Sequence, residues 1–242
     1  MDEKPKYADW RDMQQRQLEE RWANILETPA GRRKAWLDMT FSDHGFLRAL
    51  YLNRHRLGRT GWRAAQPNPR QIEAIARDGV RTIVSLRGGK LFGSLPLEIE
   101  ACEKHGITFH VQRLFSRQLP PRSELLELFE LMRSVEKPVL YHCKSGADRA
   151  GLAAALHMII IEGRPVEEAK EQLSLRFLHL RQAKTGVLDE LFDAYLVRKA
   201  ETGIGFEDWV RTEYDPVAIT EAFNARRGRW LSWFVDKVLR RE

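Results

Sequence analysis

Between residues 138 and 161 a compact apolar run, Pro138-Val-Leu-Tyr-His142, meets a glycine-bearing loop and then a longer apolar stretch, Leu152 to Ile161. The first run suits a buried strand and the second a buried helix. A strand that turns through a short glycine loop into a helix is the βα half of a βαβ unit, which commits the chain to an α/β fold.

The rest of the chain agrees. Residues 81–86 and 107–111 read as further strands, and residues 67–78, 94–105 and about 124–135 as helices. Pro69 sits near a first turn, Gly79 and Gly106 stand just past helix ends, and Ser123 is an expected cap. Residues 46–65 read as two strands, FLRALYLN and TGWRAAQ, around a turn at Gly58. From residue 148 onward only helices are predicted: 148–161, 165–174, 187–199, 206–213 and 216–240, with a break at Gly228. Residues 6–40 also read as helical, with Thr28-Pro29 ending the first stretch. The expected fold is a central, mostly parallel sheet of four to five strands flanked by helices on both faces, with extra N- and C-terminal helices.

The loop between strand and helix is His142-Cys143-Lys144-Ser145-Gly146-Ala147-Asp148-Arg149-Ala150-Gly151. Such a loop aims several backbone N–H groups and the positive end of a helix dipole at one point. A phosphate dianion fits there, and the same field favours the thiolate form of Cys143. Arg149 carries a planar fork that holds two phosphoryl oxygens and keeps its charge. Gly146 permits the tight curvature. Lys144, Ser145, Gly146, Ala147, Asp148 and Arg149 are therefore the candidate phosphate-binding residues.

This H-C-x5-R loop resembles the signature of the protein tyrosine phosphatases, closest to their dual-specificity branch. Gln66-Pro67 and Ser85-Leu86-Arg87 are similar to a pattern in the atypical plant and fungal dual-specificity phosphatases. The resemblance covers roughly residues 44–181. It implies a phosphatase catalytic domain there, with helical extensions over 1–43 and 182–242, the latter packed on it. It also implies phosphomonoester hydrolysis through a phosphocysteine, with Cys143 as nucleophile, Arg149 on the phosphate and His142 supporting the loop.

Two positions depart from that family. Its general acid is usually an aspartate about thirty residues before the cysteine, but Val111 to Pro120 holds no carboxylate. Proton donation to the leaving group is worth on the order of a hundredfold or more. Asp148 is the candidate donor, by likeness to myotubularin-type lipid phosphatases. The alternative is that Asp148 only orients the loop. Glu124 is a weaker candidate. Ser116 and Arg117 stand where the acid loop would be, and Arg117 is either a second anion contact or a solvated charge. Ala150 replaces the family's usual hydroxyl after the arginine, which predicts slower turnover of the intermediate or another donor such as Ser145.

The substrate is expected to be a phosphorylated protein, or else a lipid-linked phosphate (phosphoinositide or lipid A) or a soluble inositol phosphate. An inactive phosphate-binding module is the remaining alternative. The net charge of +6 favours an anionic partner. No nucleic-acid module is recognisable, so no nucleic acid is expected. The histidines show no metal-ligand spacing, so neither metal nor cofactor is expected. Cys102 is expected in the core of the 94–105 helix. The start, MDEKPKYADWRDMQQRQ, has no apolar h-region, and no apolar run spans a bilayer, so the expected place is the cytoplasm. The basic, tryptophan-bearing C-terminus, residues 222–242, either lies on an anionic membrane or packs on the domain, against Trp10 and Trp22.

Overall fold

A computed structural model describes residues 24–87 and 92–239, with side chains up to Arg227. The expectations for residues 6–23, Trp10 and Trp22 included, and for the tryptophan face after Gly228 lie outside the described residues.

The Thr28 side chain accepts from the Gly31 N–H at 3.0 Å, and Pro29 opens helix α1, Pro29–Leu37. Thr28 is extended, at φ −109° and ψ 145°, so a break does fall at Thr28-Pro29, and Pro29 starts a new helix because its fixed φ and missing N–H suit the first helical position. A single π turn, Asp38–Ser42, and helix α2, Gly45–Leu50, follow. The expected strand FLRALYLN is thus helical up to Leu50. A short apolar run without strict alternation suits either structure.

The order then continues as β1 His55–Leu57, β2 Gly61–Ala65, α3 Pro69–Arg77, β3 Thr82–Ser85, α4 Ser94–Lys104 and β4 Thr108–Val111. Helix α5, Arg122–Ser134, strand β5, Val139–Cys143, and helix α6, Asp148–Ile160, come next. Ser123 lies inside the first turn of α5 rather than before it. The chain ends in α7 Val166–Ala169, α8 Val187–Thr202, α9 Phe206–Thr212 and α10 Pro216–Leu239. The expected break at Gly228 is absent, and α10 runs through it. One interior glycine costs only about 1 kcal/mol relative to alanine.

The five strands form one sheet in the order β1-β2-β5-β3-β4. Only β1 with β2 is antiparallel; the other three pairings are parallel. The fold is α/β, a mostly parallel sheet flanked by helices. Ile72 and Ile75 of α3 and Ala101 and Cys102 of α4 pack with Ala64, Ile83 and Leu140 of the sheet. Each fully buried branched side chain there contributes about 1.5–3 kcal/mol. Cys102 has no exposure and is a free thiol, pushed up by burial and then by the charges of Glu98 and Glu103.

The chain divides into two compact units. The first comprises Met1–Leu114 with Val135–Ala150 and holds the whole sheet. The second comprises Phe115–Ser134 with Gly151–Glu242. Phe129, Phe192, Tyr195, Phe206, Trp209 and Tyr214 form a chain of aromatic contacts within the second unit. The Tyr214 hydroxyl donates to Pro120 O at 2.8 Å, so its polar end is satisfied.

Candidate active site

The parallel arrangement brings the carboxyl ends of β2, β5 and β3 side by side, with β5 between the other two. Ligands of open α/β sheets bind beyond such strand ends. Cys143 closes β5, Gln66 follows β2, and Leu86-Arg87 follow β3. Cys143 is 2% exposed.

Three consecutive carbonyls of the loop after Cys143 are held from one side. Asn53 Nδ2 donates to Ser145 O at 3.1 Å. Arg63 Nη2 donates to Gly146 O at 2.6 Å and to Ala147 O at 3.0 Å. In a planar trans peptide the C=O and the next N–H point in opposite directions. The amides of Gly146, Ala147 and Asp148 therefore face away from Asn53 and Arg63. That is a row of three donors at the start of α6, where the helix dipole adds to them.

Gly146 makes the turn possible. Its φ is +73°, and a Cβ there would stand 2.6 Å from Ala65 N and 2.7 Å from Ala64 C. Any side chain would push the loop off β2.

Arg149 is half-buried, and its Nη1 lies 3.4 Å from both Leu86 O and Arg87 O. Asp148 precedes it as the first residue of α6. Lys144 and Asp148 are half-buried, Ser145 is exposed, and Gly146 and Ala147 are buried. These residues and Cys143 are thus brought together in the first unit. Ser116 and Arg117 belong to the second unit, half-buried and exposed respectively. Glu124 is a buried residue of α5 in that unit, and Ala150 is buried in α6.

Arg63, like Asn53 and Asp43, is marked by no motif of the sequence. It has no solvent exposure on β2. Burial lowers its pKa to about 10, against the opposing charges of Cys143, Asp148 and Tyr51, so it remains a cation at neutral pH. A fixed positive charge thus sits behind the loop.

A second buried network reaches the neighbourhood of His142, the residue before Cys143. Asp43, without exposure, pairs with Arg87 through both oxygens, at 2.6 and 2.7 Å, and with Arg48 Nη2 at 2.8 Å. Ser94 Oγ donates to it at 3.0 Å, and Lys144 Nζ stands 3.6 Å away. Burial alone would raise the Asp43 pKa, but the hydrogen bonds and charges of Arg87, the charge of Arg48 and the Ser94 hydroxyl together hold it below the usual carboxylate range. Arg87 also donates to Gln66 Oε1, and Gln66 Nε2 donates to Glu98 Oε2 at 2.6 Å. Glu98 Oε1 lies 2.9 Å from His142 Nε2, and both side chains are fully buried. His142 thus lies fully buried in β5 beside the Glu98 carboxylate. Lys144 is lowered by burial, with Asp43 opposing and Arg87 and Arg48 adding to the effect.

Residues 48–171, just over half of the chain, match the tyrosine phosphatase family. The chain belongs to that family. Asp43 lies before the matched stretch, so the network draws on a residue outside it. The dual specificity protein phosphatase TpbA of Pseudomonas aeruginosa is 27% identical over 155 residues, covering 62% of this chain and 62% of that one. The chain thus spans about three fifths of the curated relative's length. The crystal structure of P. aeruginosa TpbA gives a TM-score of 0.47 at 22% identity, covering 62% of this chain and 91% of that one. The same protein in complex with phosphotyrosine gives 0.46 at 21% identity, with the same coverage. Among the described residues no cluster of histidine, cysteine and carboxylate side chains has metal-holding geometry, and no helix is long and apolar enough to cross a membrane.

Proposed function

We propose that this protein hydrolyses phosphomonoesters as a cysteine-dependent phosphatase of the tyrosine and dual-specificity type. One observation carries the reading: the carbonyls of Ser145, Gly146 and Ala147 are pulled to one side by Asn53 and Arg63, which turns three amides to the other. Those amides and Arg149 match the equatorial oxygens of a phosphoryl group in transfer.

Cys143 Sγ attacks phosphorus, and the bond from phosphorus to the ester oxygen breaks. Asp148 gives the departing oxygen its proton. Water then attacks the phosphocysteine, passing a proton back to Asp148, and inorganic phosphate and the thiolate of Cys143 are released. Ala150 offers no hydroxyl to the departing sulfur, so this second step is slowed unless another donor such as Ser145 serves. The family match supports the reading, and phosphotyrosine, the ligand in the TpbA complex, is the first substrate to try.

The experiment is hydrolysis of an aryl phosphate by the full chain, followed by acid quench during turnover. We expect release of phosphate, a trapped phosphoenzyme, and loss of both in Cys143→Ser. Tight phosphate binding without turnover would show a binding module instead.

A further inference from the structure

Six large apolar side chains lie exposed within fifteen consecutive residues: Leu37, Phe41, Phe46, Leu47, Leu50 and Tyr51, each between 46% and 87% open to solvent. Scattered exposed apolar residues are ordinary, but such a concentration marks a contact surface. The stretch comprises the end of α1, the π turn and α2.

The same stretch is fastened to the phosphate loop at two points. Lys144 Nζ stands 3.5 Å from His44 Nδ1 and 3.6 Å from Asp43 Oδ1. At the other end the Tyr51 hydroxyl donates to Asn53 Oδ1 at 3.2 Å, while Asn53 holds Ser145 O. Whatever covers these apolar side chains therefore lies beside the site that receives the phosphate.

Charge separates within this segment. Asp38 accepts from the Gly93 amide at 2.6 Å, and Asp43 is buried among arginines. Arg33 and Lys34 remain exposed and make no ion pair among the described residues. Apolar side chains and cations outward, with carboxylates inward, complement the interfacial zone of an anionic bilayer.

We propose that residues 33–51 dock on an anionic phospholipid surface, and that the phosphate presented to Cys143 is carried by a lipid headgroup. The second half rests on the phosphatase reading above; the docking does not.

The test uses the full chain and vesicles of phosphatidylcholine, alone or mixed with phosphatidylglycerol. We expect sedimentation with the anionic vesicles only, weakened by salt. With phosphatidic acid or phosphatidylinositol monophosphates in those vesicles, we expect release of inorganic phosphate. The variant Phe41→Ser/Leu47→Ser/Leu50→Ser should lose about tenfold or more in both readouts while hydrolysing a soluble aryl phosphate as before. If that variant fails to fold, Arg33→Glu/Lys34→Glu gives the same two readouts from exposed side chains that make no ion pair among the described residues.

Wild-type protein left in the supernatant, or variants that sediment like it, would overturn the docking. A wild-type dimer dissolved by the triple variant, without vesicle binding, would assign the face to a second copy. Aryl phosphate hydrolysis without release from any of the lipids would overturn the lipid substrate alone. Sedimentation without aryl phosphate hydrolysis would instead sink the phosphatase reading and leave the docking standing.

Discussion

Arg63 and Gly146, eighty-three positions apart in the chain, are joined by a hydrogen bond of 2.6 Å from the guanidinium to the loop carbonyl. The same nitrogen reaches Ala147 O at 3.0 Å, so one buried cation sets two peptide planes of the loop after Cys143. Arg63→Met should leave both carbonyls without this donor, at a cost on the order of 2–4 kcal/mol. Activity should fall further than stability implies, because the amides no longer converge. Arg63→Lys keeps the charge without the fork and should fall between. Urea melts and aryl phosphate kinetics on both variants check this; wild-type kinetics in Arg63→Met would refute it.

Gly146 meets β2 where no side chain fits. Gly146→Ala combines a left-handed backbone, worth about 1–2 kcal/mol against an L residue, with a Cβ 2.6 Å from Ala65 N. The loop must move, so we expect a lower melting temperature together with weaker competitive inhibition by vanadate, an oxyanion of the same shape class as the transferring phosphoryl group.

Asp43 gives a pH dependence of definite sign. Its folded pKa lies below the ordinary 3.8, so its contribution is complete above that value and is lost as pH falls through the folded one. Asp43→Asn leaves the cations of Arg87 and Arg48 without their carboxylate and should cost about 3–5 kcal/mol at neutral pH. The gap between the two proteins should stay constant on mild acidification and close only below pH 3.8. Urea midpoints followed across that range test the sign; a gap that widens in acid would contradict it.

Asp148 is expected to act on the leaving group. Asp148→Asn should slow hydrolysis of an alkyl or unactivated aryl ester by about a hundredfold and that of a nitrophenyl ester little. An equal loss on both would assign Asp148 to orientation of the loop.

Much of the fold is visible in short stretches of the chain. Helices α3 and α4 and strands β3, β4 and β5 fall within two residues of their expected limits, because turn residues and apolar runs mark them locally. FLRALYLN misled because six to eight apolar-rich residues fit a strand or a helix, and only the neighbours decide. Arg63 escaped notice for a related reason. Within Gly61-Trp-Arg-Ala-Ala65 it reads as the charge of an edge strand, yet β1 covers that edge and β2 is interior.

The order of residues alone determined the Cys143-to-Arg149 loop, the strand before it and the helix after it, since spacing, glycine and helix polarity are properties of contiguous chain. Tertiary structure decided what holds that loop in shape. Asn53 arrives from the segment before β1 and Arg63 from β2, and Asp43 is linked through Arg87, Gln66 and Glu98 to the neighbourhood of His142. Buried charges persist only where distant segments bring partners to them, and no local pattern records which segments those are.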